Sequence, residues 1–145
     1  SIDKLQFSSK DKITVITFSD NVSNIWQVNN GKETNNLIYN IHRYSPGGNT
    51  ALYDAIIEGL NILDKESNDY TKTIIAMTDG AVNIGSIFDL TNKYNRVKEK
   101  IPVYSITFGN AIESELNEIA TLTNAKVFNG KTGLLKAFKE VRGYN

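Results

Sequence analysis

Runs of apolar residues alternate along the chain with segments in which apolar residues recur every three to four positions. Ile13 to Phe18 is β-branched or aromatic throughout, which predicts a strand covered on both faces. Val22 to Val28 predicts a second, more amphipathic strand. Further apolar runs predict strands over 73–77, 102–108 and 126–128, and helical spacing predicts helices over 34–44, 51–63, 86–100, 113–122 and 133–142.

The order of these elements predicts the fold class. Strands that alternate with helices are typical of an α/β protein with a doubly wound, mostly parallel sheet, helices on both faces and right-handed crossovers. No internal repeat, low-complexity tract or linker interrupts the 145 residues. We therefore expect a single domain over residues 1–145.

Composition and charge exclude several classes of function. The 16 basic and 16 acidic residues cancel, which disfavours a nucleic acid or an acidic membrane surface as partner. No apolar run approaches the roughly 20 residues of a membrane-spanning helix, so no insertion of this segment into a membrane is expected. The chain has no cysteine, and its one histidine, His42, makes a histidine-based triad or zinc site hard to build.

The motifs of common α/β enzymes are also missing. The sequence contains no Gly-x-x-x-x-Gly-Lys-Ser/Thr loop, no Gly-x-Gly-x-x-Gly after a strand and no Gly-x-Ser-x-Gly turn. A phosphatase-like use of Asp79 with Mg²⁺ would need a nucleophile that we do not find. The sequence therefore predicts that the protein is not an enzyme.

Three polar loops lie where a ligand binds in such a fold, beyond the carboxyl ends of the strands. Ser19 and Asp20 follow the first predicted strand, Thr78-Asp79-Gly80 follows the third, and Gly47-Gly48-Asn49-Thr50 leads into the most apolar helix. The carboxylate of Asp79 and the hydroxyl of Thr50 are hard oxygen donors that suit Mg²⁺. We therefore name these two residues as candidate metal ligands.

Each of these residues also has a structural alternative. Thr50 directly precedes a helix and is a good N-cap, and Asp79 before a glycine suits a turn. Ser19 and Asp20 fit a turn at the end of a strand, and Asn49 fits either a turn or a hydrogen bond that supports the loop. Gly47 and Gly48 fit a role in backbone geometry.

Several segments, taken in order, resemble the von Willebrand factor type A (VWA) domain. Gly47-Gly-Asn-Thr-Ala-Leu-Tyr-Asp-Ala-Ile56 resembles the family's second metal-site motif, and Thr78-Asp79-Gly80 resembles the third. The stretch 101–109 resembles the next strand, and 116–128 resembles the C-terminal end of the domain. The resemblance covers about residues 2–143. Within the family, the sequence is most similar in type to the A domains of bacterial surface-anchored or substrate-binding-type proteins and adhesins.

The resemblance implies a metal-ion-dependent adhesion site. In the family an Asp-x-Ser-x-Ser loop, a Thr and an Asp hold a divalent ion, usually Mg²⁺, with Mn²⁺ or Ca²⁺ as substitutes. An Asp or Glu carboxylate of a protein partner completes the coordination. Thr50 matches the family's Thr and Asp79 its Asp, while Gly48, Asn49, Gly80, Ser19 and Asp20 would support the loops. The implied function is protein binding or adhesion, in an extracytoplasmic or cell-surface location of a bacterium, with the cytoplasm also compatible.

The sequence departs from the family at one place. It contains no Asp-x-Ser-x-Ser loop, and Ser1-Ile-Asp-Lys-Leu5 resembles only the last turn of the helix that follows that loop. The central strand of the family fold is therefore missing, and the domain is expected to be N-terminally incomplete. Either the sequence is a piece, or another chain or segment supplies the rest. This departure favours the alternative function: a metal-independent scaffold or assembly domain of a larger bacterial surface or ATPase-associated complex.

Family strand order places the missing strand between the strands predicted at 13–18 and 73–77. Without it, both strands present an open edge, which invites pairing. We expect one of three outcomes: the two strands pair directly, a neighbouring molecule lends a strand by exchange, or the chain dimerises through the gap.

Overall fold

The structure contains all the predicted strands and those predicted helices that fall within its described residues. The computed structural model describes residues 7–35, 50–78, 84–107, 113–130, 136 and 139–140, and the predicted helices at 34–44 and 133–142 lie mostly outside these ranges. The described elements are β1 (Ile13–Phe18), β2 (Val22–Val28), α1 (Leu52–Asp64), β3 (Ile74–Thr78), α2 (Ile87–Arg96), β4 (Val103–Thr107), α3 (Glu113–Thr123) and β5 (Val127–Asn129).

The strands form two sheets. β1 and β2 are antiparallel, with Ile16 opposite Ile25 and an irregularity between Thr17 and Phe18. β3, β4 and β5 are parallel and lie in chain order, with Ser105 of β4 at the centre opposite Ala76 and Val127. A parallel sheet joined by helical crossovers confirms the predicted α/β fold.

The two sheets do not join. Within the described ranges no ladder of backbone hydrogen bonds links β1 to β3. The expectation that these two strands close up and pair directly is therefore wrong for the described part of the chain. The other two outcomes need a second molecule and remain predictions.

Helix α1 lies across the division between the two sheets. It contacts both β1 and β3. A Cβ placed on Gly59, in the middle of α1, would lie 3.3 Å from Cδ1 of Ile74 and 3.8 Å from Cδ1 of Ile16. The side chains of the two strands thus meet on the same point of the helix, which holds the sheets side by side without backbone pairing.

One apolar core unites the three described helices with the parallel sheet. Leu60 of α1, Leu90 of α2 and Ile119 of α3 are fully buried and share a cluster with Val103 of β4. The opposite face of β4 is also buried, and there the Tyr104 ring lies 6.2 Å from that of Phe128. β4 is therefore covered on both faces, as expected for a central parallel strand.

Burial along β1 differs from the prediction. The strand was expected to be covered on both faces, yet all six of its residues are only half-buried, whereas all five of β4 are buried. The physical reason is position: β4 has a strand on each side, while β1 has β2 on one side and the division between the sheets on the other. β2 alternates between half-buried and exposed residues, which confirms its amphipathic character.

Helix α2 is shorter than the predicted 86–100. Ser86 is its N-cap, and its Oγ accepts hydrogen bonds from the backbone N–H groups of Phe88 (3.0 Å) and Asp89 (3.4 Å). The helix ends at Arg96 because Val97 adopts an extended conformation with ψ 151°. Val97 is buried in the core in this extended conformation. Its packing therefore ends the helix, although the polar residues after Val97 would allow the helix to continue.

Candidate functional site

The start of α1 and the end of β3 lie at the same end of the molecule. A Cβ on Gly85, seven residues after Thr78 ends β3, would lie 3.4 Å from Cβ of Tyr53 and 3.7 Å from Oδ1 of Asp54, both in the first turn of α1. Gly85 has φ +84°, a conformation that favours glycine. The chain that leaves β3 therefore returns to the first turn of α1, at the carboxyl end of the parallel sheet, where ligands bind in this fold class.

Thr50 lies at this end, one residue before the N-cap position of the helix. The N-cap position belongs to Ala51, whose carbonyl accepts the hydrogen bond of the Ala55 N–H at 3.1 Å. The alternative that Thr50 is the N-cap residue is therefore wrong. Thr50 itself is half-buried, two residues before the first residue of α1.

The remaining loop residues fall largely outside the described ranges. Asp79, Gly80, Gly48 and Asn49 are among them, so their predicted roles stay predictions. Thr78, directly before Asp79 in the sequence, is buried at the end of β3.

Ser19 and Asp20 form the turn between β1 and β2. The Ser19 N–H donates a hydrogen bond to the Asn21 carbonyl at 3.0 Å, and Asp20 is exposed. This geometry agrees with the strand-end alternative. A supporting role for the two residues at a metal site stays a prediction.

Carboxylates face the first turn of α1 from the neighbouring helix. Burial raises the pKa of the Tyr53 phenol, and the negative charges of Glu115 and Glu118 on α3 raise that pKa further. The two carboxylates therefore contribute negative potential at this turn. Such a potential favours a bound cation and disfavours an approaching anion.

The described residues do not complete a metal site by themselves. Among them, no group of three or more His, Cys, Asp or Glu side chains is arranged to hold an ion. Thr50 contributes one hydroxyl, whereas Mg²⁺ requires six oxygen ligands in near-ideal octahedral geometry. Further oxygens would have to come from Asp79, from water and from groups beyond the described residues.

The sequence analysis missed a cleft at the opposite end of the division between the sheets. It encloses about 240 Å³ and is lined by Ile13 and Thr14 of β1, Thr73 and Ile75 at β3, and Ile62 and Leu63 at the end of α1, among others. The sequence did contain an indication of this cleft, since two strands without a common neighbour leave a space between them. Only the packing of α1 in the structure shows that this space stays open.

Lys72 was also missed. Its side chain is 4% exposed and lies at the start of β3, with Nζ 2.9 Å from Oε1 of Glu99 and 3.1 Å from the backbone carbonyl of Glu66. The polar sequence around Lys72 gives no sign that this cation is buried. It ties the start of β3 to the segments that follow α1 and α2.

Comparisons with known proteins agree with this architecture. The family model of the von Willebrand factor type A domain matches residues 2–140. The mouse protein inter-alpha-trypsin inhibitor heavy chain H3 is 31% identical over 104 residues, which cover 66% of this chain and 11% of that protein. The structure of a von Willebrand factor type A protein from Catenulispora acidiphila superposes with a TM-score of 0.71 at 17% identity, over 88% of this chain and 31% of that one.

The chain thus spans about a tenth of the length of its curated relative and about a third of the length of the solved structure. In the described part of the chain, no helix has the length and apolar character needed to cross a membrane. Domains of the matched family are generally protein-interaction modules, and they often depend on a divalent metal. Because the family model matches nearly the whole sequence, the chain belongs to the von Willebrand factor type A domain family.

Proposed function

We infer that this chain is part of a protein-interaction module that binds its partner through a divalent cation. Thr50 and Asp79 would hold the ion together with an Asp-x-Ser-x-Ser loop that the 145 residues do not contain. The single observation that supports this best is the return of the chain after β3 to the first turn of α1, at Gly85. This contact brings the chain that follows β3 to the first turn of α1, and it supports a site formed by residues next to these two elements in the sequence.

The chemistry of these donors suits the proposal. A hydroxyl and a carboxylate are hard ligands for Mg²⁺, and the negative potential from Glu115 and Glu118 favours a cation near the first turn of α1. When bound, the ion would supply positive charge for an Asp or Glu carboxylate of the partner, in place of a water molecule. Mn²⁺ or Ca²⁺ would serve in the same way.

A metal-independent scaffold or assembly role is the second candidate. The observation that favours it is the lack of a cation-holding group among the described residues. The module would then act within a larger bacterial surface or ATPase-associated complex, and its binding would not respond to a chelator. In neither case do we propose that the chain is an enzyme.

Domain extent and location belong to the same proposal. We propose one VWA-like domain over residues 1–145 and an extracytoplasmic or cell-surface location. The support for both is the resemblance of the motifs. Strand exchange or a dimer formed through the division between the sheets is proposed on the same ground.

Calorimetric titration of the 145-residue chain with Mg²⁺ and Mn²⁺ tests the metal-dependent function. Asp79→Ala removes the proposed carboxylate ligand, and Asp69→Ala is a matched control, because Asp69 is exposed beyond the opposite end of α1. We expect saturable binding that Asp79→Ala weakens at least tenfold and Asp69→Ala leaves unchanged. Equal binding by both variants would contradict the assignment of Asp79. Absence of heat in all three proteins would favour the scaffold.

A further inference from the structure

We propose that Asn30 is a site of spontaneous covalent modification, at which the side-chain amide is lost through a cyclic imide and a carboxylate takes its place. The chain contains two copies of the tripeptide Asn-Gly-Lys, at 30–32 and at 129–131. An asparagine before glycine suits this reaction, because glycine has no Cβ to obstruct the attack of its own backbone nitrogen. The inference goes beyond the proposed function, since it involves neither a metal ion nor a partner.

The reaction consumes only water. The backbone nitrogen of Gly31 gives its proton to hydroxide and attacks Cγ of Asn30, so a bond forms between these two atoms while the bond from Cγ to Nδ2 breaks. Nδ2 takes up a proton from water and leaves as ammonia. Water then opens the five-membered imide at one of its two carbonyl carbons, which gives either aspartate or isoaspartate at position 30.

The turn at Asn30 already joins the reacting groups in one hydrogen-bonded ring. The backbone N–H of Lys32 donates a hydrogen bond of 2.9 Å to Oδ1 of Asn30, at the surface of the protein. The ring that this bond closes contains both Cγ of Asn30 and the nitrogen of Gly31, the two atoms that must join. A second bond of 2.9 Å, from the N–H of Glu33 to the Asn30 carbonyl, holds the same turn.

The contact with Lys32 also supports the charge that develops during the attack. Negative charge accumulates on Oδ1 of Asn30 as the Gly31 nitrogen adds to Cγ, and the Lys32 N–H donates to that same oxygen. A backbone N–H in such a position stabilises an oxyanion. In addition, no hydrogen bond to another described residue engages the N–H of Gly31, so the attacking nitrogen need not first leave a partner there.

The second tripeptide is held differently. Asn129 is the last residue of β5, and the N–H of Gly130 donates a hydrogen bond of 2.6 Å to the carbonyl of Thr107. Thr107 is buried at the end of β4. The nitrogen that would attack Asn129 is therefore bonded to the parallel sheet, and this bond must break before the reaction can start. The same local sequence thus gives one asparagine that is ready to react and one that is protected.

The packing of Gly31 determines what the modification does to the turn. Gly31 is buried, and a Cβ there would lie 2.5 Å from the carbonyl oxygen of Ser8 and 2.7 Å from Cβ of Phe7. Isoaspartate adds a methylene to the backbone directly before this contact, so the turn has to move away from the segment that carries Ser8. Either product also adds one negative charge to a chain whose acidic and basic residues otherwise cancel.

Peptide mapping of the intact 145-residue chain tests the proposal. The chain is incubated in mildly alkaline buffer, and conversion at positions 30 and 129 is measured from the mass difference between amide and acid, with isoaspartate separated by chromatography. We expect Asn30 to convert at least about tenfold faster than Asn129 in the folded chain. In guanidinium chloride neither the turn nor the sheet persists, so the two rates should become similar.

Two matched variants localise the reaction. Asn30→Gln keeps the amide but moves it one methylene further from the backbone, so the five-membered imide cannot form. We expect this variant to lose the fast conversion, together with the more acidic species that isoelectric focusing separates, and to keep the slow conversion at Asn129. Asn129→Gln should leave the fast conversion unchanged.

Three results would overturn the proposal. One is equal conversion at the two positions in the folded chain, which would mean that the turn and the sheet do not control reactivity. Another is faster conversion at Asn129 than at Asn30. The last is a folded chain that converts at neither position although both convert in guanidinium chloride, because the turn would then protect Asn30 as the sheet protects Asn129.

Discussion

Gly59 occupies a point where helix propensity and packing oppose each other. It lies inside α1, a 13-residue helix, and is buried against the side chains of both flanking strands. Gly59→Ala gains about 1 kcal/mol of helix propensity, because glycine has more backbone freedom to lose on folding. Against this, the new methyl group lies 3.3 Å from Cδ1 of Ile74, which must move by a few tenths of an ångström.

The division between the two sheets determines which effect is larger. Ile74 belongs to β3, whose edge has no strand beside it within the described residues, and the contact involves the far end of its side chain. The side chain can therefore move aside for a cost of about 0.5 kcal/mol, less than the 1–3 kcal/mol that is typical of overpacking in a closed core. We expect Gly59→Ala to stabilise the chain by about 0.5 kcal/mol and to raise the melting temperature by about 1–2 °C.

Thermal unfolding followed by circular dichroism measures this shift, and a double-mutant cycle tests its cause. Ile74→Val removes Cδ1, so Gly59→Ala in that background should approach the full gain of about 1 kcal/mol. A loss of 1 kcal/mol or more from Gly59→Ala in both backgrounds would refute the reasoning. It would mean that α1 is packed tightly on both strands and that the Ile74 side chain has no room to move.

Two further predictions concern charged and titratable groups. The raised pKa of the Tyr53 phenol means that the folded chain resists its ionisation, so the stability from this group is present below pH 10 and is lost as the pH rises above 10. Phenolate absorbance should show a late-titrating component that Tyr53→Phe removes. Lys72→Met keeps the length of the buried side chain but removes its bonds to Glu99 and to the Glu66 carbonyl. We expect a loss of about 1–2 kcal/mol in urea unfolding, and an unchanged midpoint would contradict a structural role for this ion pair.

The parts of the fold that follow from local pattern could be predicted from the sequence. The bounds predicted for the strand Val22–Val28 are those observed. The reason is that the alternation of apolar and polar residues, and the Asn29-Asn30-Gly31 turn that ends the strand, are local features of the sequence. The prediction for α2 failed at its C-terminal end: Val97 is buried, as helical spacing predicts, but its backbone is extended with ψ 151°, and spacing alone does not show where the backbone leaves the helix. The prediction for β1 failed in burial for a similar reason: a β-branched run shows that a strand forms but not whether a neighbour covers it.

The candidate site was predicted from the polar loops and from the family motifs together. Thr50 and Asp79 were chosen because they are hard oxygen donors in loops next to apolar elements, and because two short segments resemble the family. The family match over residues 2–140 confirms that resemblance but not the roles of the two residues. The choice between a cap and a ligand for Thr50 depended on where the helix begins. The helix begins one residue later than a Thr50 cap requires, so the N-cap is Ala51 and not Thr50. No sequence rule for helix starts is accurate to one residue.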